Sequence, residues 1–264
     1  SIAAGAIAGS IRSEAGRGLW SSRWVFFLAA TGSAVGLGNI WKFPYITGQN
    51  GGGAFVLVYL ACILAIGIPL LMAEFMIGRR GRANPEGAIA AVAREAGASK
   101  HWRRLGSMAV LTGFLILSFY AVIAGWTLAY TPAAFSGGFA GLDGDKSGAL
   151  FNALLADPWQ LAGYGSLVLA VTLGIVALGV RDGLERALRF MMPGLFLILL
   201  VLVGYAATTG YFQQAVEFLF APDFSKLTGK GVLVALGHAF FTLSLASGAM
   251  MAYGSYLPAG TSIV

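Results

Sequence analysis

The forty residues from Ser21 to Leu60 read SSRWVFFLAATGSAVGLGNIWKFPYITGQNGGGAFVLVYL and form a long apolar run that glycine interrupts. A helix of about 20 apolar residues crosses the hydrocarbon layer of a bilayer, so the first part of this stretch predicts a membrane span. Gly32, Gly36 and Gly38 lie near the middle of that span. Two interpretations stay open for them: close packing on another helix through Gly32-x-x-x-Gly36, or a helix break whose bare peptide groups line a cavity.

The remainder of the chain continues the apolar pattern. Of its 264 residues 58% are hydrophobic and only 11% are charged, whereas soluble domains carry about 25% charged residues. Six stretches are long and apolar enough to cross a bilayer. We number these predicted spans 1 to 6, at 22–47, 53–78, 104–132, 160–180, 187–211 and 231–257. The composition therefore predicts an all-α polytopic membrane protein.

The basic charge follows the predicted topology. The net charge is +6, but 13 of the 17 Lys and Arg residues lie before span 1, between spans 2 and 3, between spans 4 and 5, or within the first three residues of spans 1, 3 and 5. Cytoplasmic loops carry this excess in membrane proteins, so the N-terminus is predicted to be cytoplasmic. We also expect the protein to lie in the plasma (inner) membrane. The charge thus reports orientation, and no nucleic-acid partner is predicted.

A second interrupted span follows near the end of the chain. Residues 242–250, TLSLASGAM, place Ser and Gly at mid-membrane depth in span 6. Packing by small residues is again the alternative interpretation. However, span 6 runs opposite to span 1, and matched breaks in two oppositely oriented halves point to a midplane substrate site in inverted-repeat transporters. Freed amides suit a carboxylate, and freed carbonyls suit a cation.

Four motifs in this order resemble one transporter family. They are residues 21–60, MAEFMIGRRG at 72–81, GW at 125–126 and FFTLSLASGAMMAYGSYL at 240–257. From about Arg17 onward the chain resembles the neurotransmitter:sodium symporters, which have the LeuT fold. The resemblance implies spans 1–6 of a 5+5 inverted repeat with broken helices 1 and 6. It divides the chain into a cytoplasmic segment at 1–19, a first five-helix repeat at 20–211, and an external loop with broken helix 6 at 212–264 that starts a truncated second repeat.

The resemblance also implies two sodium sites. The first would use the carbonyl group of Ala34, the side chains of Asn39 and Thr242, and the substrate carboxylate. Hard oxygen ligands of this kind suit a small hard cation. The second would use the carbonyl groups of Gly32 and Val35 together with groups from span 8, which this sequence lacks. Chloride dependence is not decided by these residues.

A substrate site is implied between spans 1, 3 and 6. The substrate carboxylate would meet the amides of Leu37 and Gly38 and the hydroxyl of Tyr120. The whole implied set is Ser33, Ala34, Leu37, Gly38, Ile116, Tyr120, Phe241, Thr242, Ser244 and Ser247. Taken alone, Tyr120 also fits a packing tyrosine, and Phe241 also fits a core or lipid-facing aromatic residue.

One position bears on the class of substrate. Amine-transporting members of the family carry an Asp in the span-1 break, at the position of Gly36 here, and span 1 contains no acidic residue. A substrate that brings its own carboxylate would complete the sodium shell, which favours an amino acid over a monoamine. Ser247 stands where some members have a bulky residue, which favours room for a larger side chain.

Gating residues are implied at both ends of the site. Lys42 matches an external cation that is usually Arg in the family, with Phe241 below it. Arg17 and Trp20 match a cytoplasmic gate with Tyr256 nearby, although Arg17 also fits a positive-inside anchor. Glu74 is predicted to accept hydrogen bonds from free amides of the span-6 break; the alternative is that it lies among wet headgroups near Arg79.

The sequence gives little support for a metal site, a phosphate-binding loop or an enzyme active site. His238 is a lone histidine on span 6, so no metal beyond sodium is predicted. The glycine-rich GQNGGGAF at 48–55 lacks the Lys-Ser/Thr of a phosphate-binding loop. No nucleophile–base pair indicates an enzyme.

We predict sodium-coupled symport of an amino acid by alternating access, with the lipid bilayer and the missing C-terminal half (span 7 onward) as partners. The alternatives are a fragment without transport and a receptor-like or channel-like relative that binds an amino acid.

Overall fold

The computed structural model describes residues 20–258, except for the side chain of Arg181, and its regular elements in that range are all helical. This confirms the predicted all-α class. The α-helices are Arg23–Ala34, Phe43–Gln49, Gly53–Cys62, Ile68–Gly81, Pro85–Glu95, Arg103–Phe135, Gly144–Leu155, Pro158–Ala177, Arg186–Thr208, Phe212–Phe220, Gly229–Thr242 and Ala249–Ser255. The shorter segments are π-helical at Gly38–Lys42, Ile63–Gly67 and Val180–Glu185, and 3₁₀-helical at Lys100–Trp102 and Phe224–Lys226.

Spans 2 to 5 are continuous helices that are long and apolar enough to cross a membrane. They run over Gly53–Gly81, Lys100–Phe135, Pro158–Ala177 and Asp182–Thr208. Most of their outward side chains are apolar and exposed, as in Leu111, Phe190 and Leu200. Backbone polar groups in such helices are satisfied internally, which is what a lipid environment requires. The chain is therefore an integral membrane protein.

Spans 1 and 6 are interrupted, as predicted. Span 1 consists of Arg23–Ala34 and Gly38–Gln49, which meet at an angle of 47°. Span 6 consists of Gly229–Thr242 and Ala249–Ser255, and residues 243–248 between them form turns. Each half of span 6 is shorter than the ~20 residues that a helix needs to cross the bilayer alone.

A short loop helix joins spans 2 and 3. Asn84 caps it by accepting a hydrogen bond from the amide of Gly87 at 2.8 Å, with Pro85 in the first turn. Both of its acidic residues pair with arginines of the neighbouring spans: Glu95 with Arg80 at 2.6 Å, and Glu86 with Arg103. The Arg80 guanidinium holds the pKa of Glu95 below its ordinary value. These pairs fix the loop helix at what we call the arginine-rich end of the bundle.

The connection between spans 4 and 5 is short. The π-helix Val180–Glu185 leads directly into span 5. The reversal is made by Gly179, whose φ of +85° is open to glycine without steric cost. Because that one residue turns the chain, the residues after it are helical.

Glycines bring span 2 against the second half of span 6. A Cβ on Gly78 would overlap the carbonyl of Met251, and one on Gly254 would lie 2.6 Å from the carbonyl oxygen of Phe75. The two backbones therefore touch, as small residues allow in membrane helices. Helix Ala249–Ser255 is fixed to span 2 by this packing.

Candidate substrate and ion site

The break in span 1 frees backbone groups at mid-span. Ala34 ends the first helix, and Val35 is extended, with φ −94° and ψ 102°. Its amide still donates to the carbonyl of Thr31 at 2.7 Å. The amides of Asn39 and Ile40 both donate to the carbonyl of Gly36, at 3.0 and 3.2 Å. The helical ladder is thus interrupted over 35–37, and carbonyl groups before the break have no helical partner.

The break in span 6 is held in an unusual backbone conformation. Ser244 and Ala246 have φ values of +53° and +59°, and Gly248 has +76°. A residue with a side chain adopts this left-handed region at a cost of roughly 1 kcal/mol or more. Two such residues within three positions need support from the surrounding structure, and conformations of this kind cluster at functional sites.

Glu74 supplies that support. Its Oε1 accepts a hydrogen bond at 2.7 Å from the amide of Ala246, the residue with φ +59°. Its Oε2 is buried and has no hydrogen-bond partner within residues 20–258. Glu74 thus accepts a hydrogen bond from an amide of the span-6 break, which is the contact that the sequence predicted.

Three oxygen-bearing groups from the two breaks meet beside each other. The Oγ1 atom of Thr242 donates to Oδ1 of Asn39 at 3.0 Å, and Nδ2 of Asn39 donates to the carbonyl of Ala34 at 2.6 Å. These are the groups predicted for the first sodium site. Carbonyl, amide and hydroxyl oxygens are the ligands that hard cations prefer, so the chemistry of this set fits sodium.

A cavity of about 550 Å³ lies next to these oxygens, between spans 1, 3 and 6. Nine of the ten residues predicted for the substrate site line it: Ser33, Ala34, Gly38, Ile116, Tyr120, Phe241, Thr242, Ser244 and Ser247. Among the residues predicted for sodium, Gly32 also lines the cavity, whereas Val35 does not. Two serines link the breaks across it, since Oγ of Ser244 donates to the carbonyl of Ser33 at 3.1 Å.

Two aromatic rings close one side of the cavity. Tyr120 and Phe241 are stacked with centroids 5.8 Å apart. A second cavity of about 280 Å³ lies beyond them, and both Leu37 and Lys42 line it. The structure thus separates the side chain of Leu37 from the main cavity, although the prediction concerned only its backbone amide.

Gly36 and Gly38 have different surroundings. A Cβ on Gly38 would overlap the ring of Phe241 and lie 3.3 Å from the hydroxyl of Tyr120, so a larger residue here requires the Phe241 ring to move. A Cβ on Gly36 would meet only the hydroxyl of Tyr120, at 3.8 Å, which is ordinary contact. The absence of a side chain at Gly36 is therefore not forced by packing.

The arginine-rich end of the site is closed by aromatic residues. Trp20 is 4% exposed and packs in a cluster with Val25, Phe26 and Phe75. Its backbone amide donates to the carbonyl of Tyr256 at 3.3 Å. The predicted contact of Trp20 with Tyr256 is therefore present. Arg17 lies outside the described residues.

Lys42 lies at the opposite end, in span 1. Its Nζ atom is 5.6 Å from the ring centroid of Trp41, a distance typical of a cation–π contact. Within the part of the chain that the structure describes, no carboxylate forms an ion pair with it.

Three residues of this region were missed from the sequence. Tyr59 of span 2 donates to Oγ1 of Thr242 at 2.9 Å, so it fixes one of the three oxygen-bearing groups. The carbonyl of Tyr253 accepts a hydrogen bond from Nε1 of Trp20 at 3.1 Å. Glu185, 3% exposed, accepts a hydrogen bond from the amide of Ser21 at 2.7 Å. Tyr59 and Tyr253 resemble any helical tyrosine in sequence, and Glu185 stands in the charged segment between spans 4 and 5 with no local sign of its contact.

His238 packs among aromatic rings in the first half of span 6, helix Gly229–Thr242. It is 6% exposed, stacked on Phe43 at 5.3 Å, and its Nε2 has no partner within residues 20–258. The same range contains no group of three His, Cys, Asp or Glu residues that could hold a metal ion.

The sequence is similar to those of known sodium-dependent transporters. The sequence profile of the Sodium:neurotransmitter symporter family matches residues 17–143 and 156–263. A sodium-dependent transporter of Bacillus subtilis named YhdH is 45% identical over 239 residues, which are 90% of this chain and 52% of that protein. The rat sodium-dependent neutral amino acid transporter B(0)AT2 is 38% identical over 119 residues, 45% of this chain and 16% of that protein.

A solved structure is also similar. The crystal structure of MhsT in complex with L-phenylalanine matches with a TM-score of 0.82 and 46% identity, covering 92% of this chain and 54% of MhsT. The described helices therefore have the architecture of the N-terminal half of that transporter. The chain spans about half the length of YhdH and of MhsT.

Proposed function

Because this chain belongs to the sodium:neurotransmitter symporter family, we propose that it forms spans 1–6 of a symporter that couples amino-acid uptake to the inward sodium gradient. Residues 20–211 would form the first five-helix repeat, and residues 212–264 the start of the second. The arginine-rich end would face the cytoplasm, as the positive-inside rule requires.

One observation carries this proposal: both helix breaks contribute to the same cavity. Ala34 and Asn39 come from the first break, and Thr242 comes from the edge of the second. The three groups lie beside a cavity that also borders the break residues Gly36 and Gly38. A cation and an anionic group can therefore bind side by side, as in other carriers with discontinuous helices.

This arrangement explains how transport would be coupled. A substrate carboxylate at the amides of the span-1 break and the hydroxyl of Tyr120 would lie next to the cation held by Asn39 and Thr242. The opposite charges would attract each other at short range in a partly dehydrated site. Each ligand would then raise the affinity for the other by the same factor. Gly32 and Val35 would hold a second sodium ion together with residues outside this chain.

Two features support an amino acid with a large apolar side chain as substrate. Gly36 leaves the span-1 break without a carboxylate, although a Cβ at this position would meet nothing closer than the Tyr120 hydroxyl at 3.8 Å. The cavity of about 550 Å³ has glycine, isoleucine, leucine and serine along its walls, with Ser247 at the span-6 break. MhsT, which this chain resembles at 46% identity, was crystallised with L-phenylalanine.

Uptake by the complete protein in proteoliposomes tests this function. With sodium outside and potassium inside, radiolabelled L-phenylalanine should accumulate above its external concentration. An ionophore that collapses the sodium gradient should abolish that accumulation. Sodium-dependent binding without accumulation would contradict symport and support a receptor-like protein, and uptake that is equal in sodium and in potassium would contradict coupling.

A further inference from the structure

The loop helix Pro85–Glu95 touches the break in span 6. A Cβ on Gly248 would lie 2.7 Å from Cγ of Pro85 and 3.2 Å from its Cβ, so Gly248 packs directly on the proline ring. Gly248 is the last residue of the break and precedes helix Ala249–Ser255. A loop that joins spans 2 and 3 therefore supports the backbone of span 6.

The same stretch of backbone borders the main cavity. Ser247 and Ala249 both line the cavity, whereas the Cβ direction of Gly248 between them points at Pro85. Oγ of Ser247 donates to the carbonyl of Ser244 at 2.6 Å, within the break. The proline ring is thus one residue away from the cavity wall.

Span 3 also contacts this part of the break. A Cβ on Gly113 would lie 3.0 Å from the carbonyl oxygen of Ser247. The Cβ of Ala109 is 3.5 Å from the position that a Cβ on Gly248 would take. These contacts and the proline ring together hold the peptide between Ser247 and Gly248.

Pro85 itself is firmly held. Its pyrrolidine ring fixes φ, and it occupies the first position of the loop helix. A Cβ on Gly106 of span 3 would overlap the backbone of Glu86, and one on Gly81 of span 2 would overlap Ala88. The loop helix is therefore packed backbone to backbone on two spans, and a rigid ring on such a helix fixes the backbone that it touches.

We propose that Pro85 is a positioning residue that sets how much room the cavity leaves for the substrate side chain, an inference that rests on the proposed function. The ring keeps Gly248 in place, and Ser247 is then held at the cavity wall. Without the ring, both residues can move toward the vacated space, so the cavity becomes wider at this wall. The groups proposed for the carboxylate and the sodium ion belong to other elements, and they keep their positions.

Two matched substitutions separate this contact from the effect on a helix start. Pro85→Ala removes the ring carbons that touch Gly248 and leaves a residue that favours helix. The control is Pro158→Ala, because Pro158 also occupies the first position of a helix, after the capping residue Asp157, and is exposed. Both substitutions change the same kind of helix start, but only Pro85→Ala removes the contact with Gly248.

Competition binding to the complete protein measures the selectivity for side-chain size. Radiolabelled L-phenylalanine is bound in saturating sodium and displaced by unlabelled L-phenylalanine or by L-tryptophan, whose side chain is larger. The ratio of the two dissociation constants is determined for each variant, together with the sodium dissociation constant. This ratio does not depend on how much of the protein is folded, so a loss of stability alone leaves it unchanged.

We expect L-tryptophan to gain affinity relative to L-phenylalanine in Pro85→Ala. The ratio should change by about 10-fold, the lower end of the roughly 10- to 200-fold effect of one methylene group in an apolar pocket. The parent protein and Pro158→Ala should share one ratio, and sodium affinity should be equal in all three proteins. The proposal is wrong if the ratio in Pro85→Ala equals that of the parent protein, or if Pro158→Ala shows the same change.

Gly248→Ala tests the contact from its other side. The new methyl group would meet the proline ring and push the backbone toward the cavity, so L-tryptophan should lose affinity relative to L-phenylalanine. Pro85→Ala removes this overlap, so the loss should be smaller when both substitutions are combined, because residues in contact do not act independently. If Pro85→Ala does not fold, an unchanged ratio in Gly248→Ala overturns the proposal.

Failure of the proposed function would look different. The parent protein would then show no sodium-dependent binding of L-phenylalanine. Failure of the role of Pro85 alone leaves that binding intact in the parent protein and leaves the ratio for L-tryptophan and L-phenylalanine unchanged in the variants.

Discussion

The Oγ1 atom of Thr242 lies 3.0 Å from Oδ1 of Asn39, and this hydrogen bond joins residues 203 positions apart in the chain. It is the point at which the two helix breaks meet. Asn39 also donates to the carbonyl of Ala34, and Tyr59 of span 2 donates to Oγ1 of Thr242. An ion bound here would be held by both breaks, so movement of either break would change its affinity.

Thr242→Val tests whether the three oxygen-bearing groups of Ala34, Asn39 and Thr242 bind sodium, because the substitution removes one hydroxyl and keeps the side-chain shape. The variant loses a hydroxyl ligand, and we expect sodium affinity, measured by sodium-dependent stabilisation of the complete protein, to fall about 10- to 100-fold. The control is Thr47→Val, because Thr47 is 2% exposed and its hydroxyl has no partner within residues 20–258. Equal sodium affinity in the two variants would show that the Thr242 hydroxyl is not a sodium ligand.

Tyr120→Phe separates the hydroxyl from the ring. The stacking on Phe241 at 5.8 Å is retained, but a hydrogen bond to the substrate carboxylate is lost. Such bonds to charged groups contribute about 1.5–3 kcal/mol, so L-phenylalanine affinity should fall roughly 10- to 150-fold. Equilibrium binding of L-phenylalanine and of phenylethylamine, which lacks the carboxylate, provides the comparison. An unchanged L-phenylalanine affinity would mean that Tyr120 only packs.

Gly38→Ala tests the close approach of span 1 to Phe241. The new methyl group overlaps the Phe241 ring, which must move away from Tyr120. Overpacking of this kind costs about 1–3 kcal/mol, and we expect L-phenylalanine binding to weaken about 10- to 100-fold. Gly48→Ala lies in the same span with nothing within 4 Å of its Cβ and should bind like the parent protein. Similar L-phenylalanine affinities for the two variants would contradict the close contact between Gly38 and Phe241.

Glu74→Gln tests the support of the span-6 break. The amide Ala246 N–H loses a charged acceptor, and we expect sodium affinity to fall about 10-fold while the protein still folds. Ala246→Gly removes the steric cost of the φ of +59°. The loss from Glu74→Gln should therefore be smaller in the Ala246→Gly background, measured by the same sodium titration. An equal loss in both backgrounds would show that Glu74 does not act through this backbone.

The positions of both breaks could be predicted from residue type. Three glycines in span 1, and Ser and Gly in span 6, stand where an uninterrupted helix would carry larger apolar residues. The loop helix was also predictable, because Asn84 and Pro85 form a standard helix start. Local sequence thus marks where a helix begins or stops.

Contacts made through tertiary packing could not be predicted in the same way. The π-helical segment at Ile63–Gly67 lies in an apolar run just before Pro69, and proline marks a disturbance of the helix without specifying its form. The hydrogen bonds from Trp20 to the carbonyls of Tyr253 and Tyr256 depend on how a short helix is placed, which local sequence does not specify. Glu185 looks like part of a turn until its hydrogen bond with Ser21 is seen.

Reciprocal binding of sodium and L-phenylalanine to the complete protein tests the shared site most directly. The sodium dissociation constant is measured with and without saturating L-phenylalanine, and the L-phenylalanine constant with and without saturating sodium, at constant ionic strength. The account predicts that each ligand tightens the other by the same factor, about 5- to 150-fold, and that Thr242→Val brings this factor close to one. A sodium constant that is the same with and without L-phenylalanine would contradict a common site.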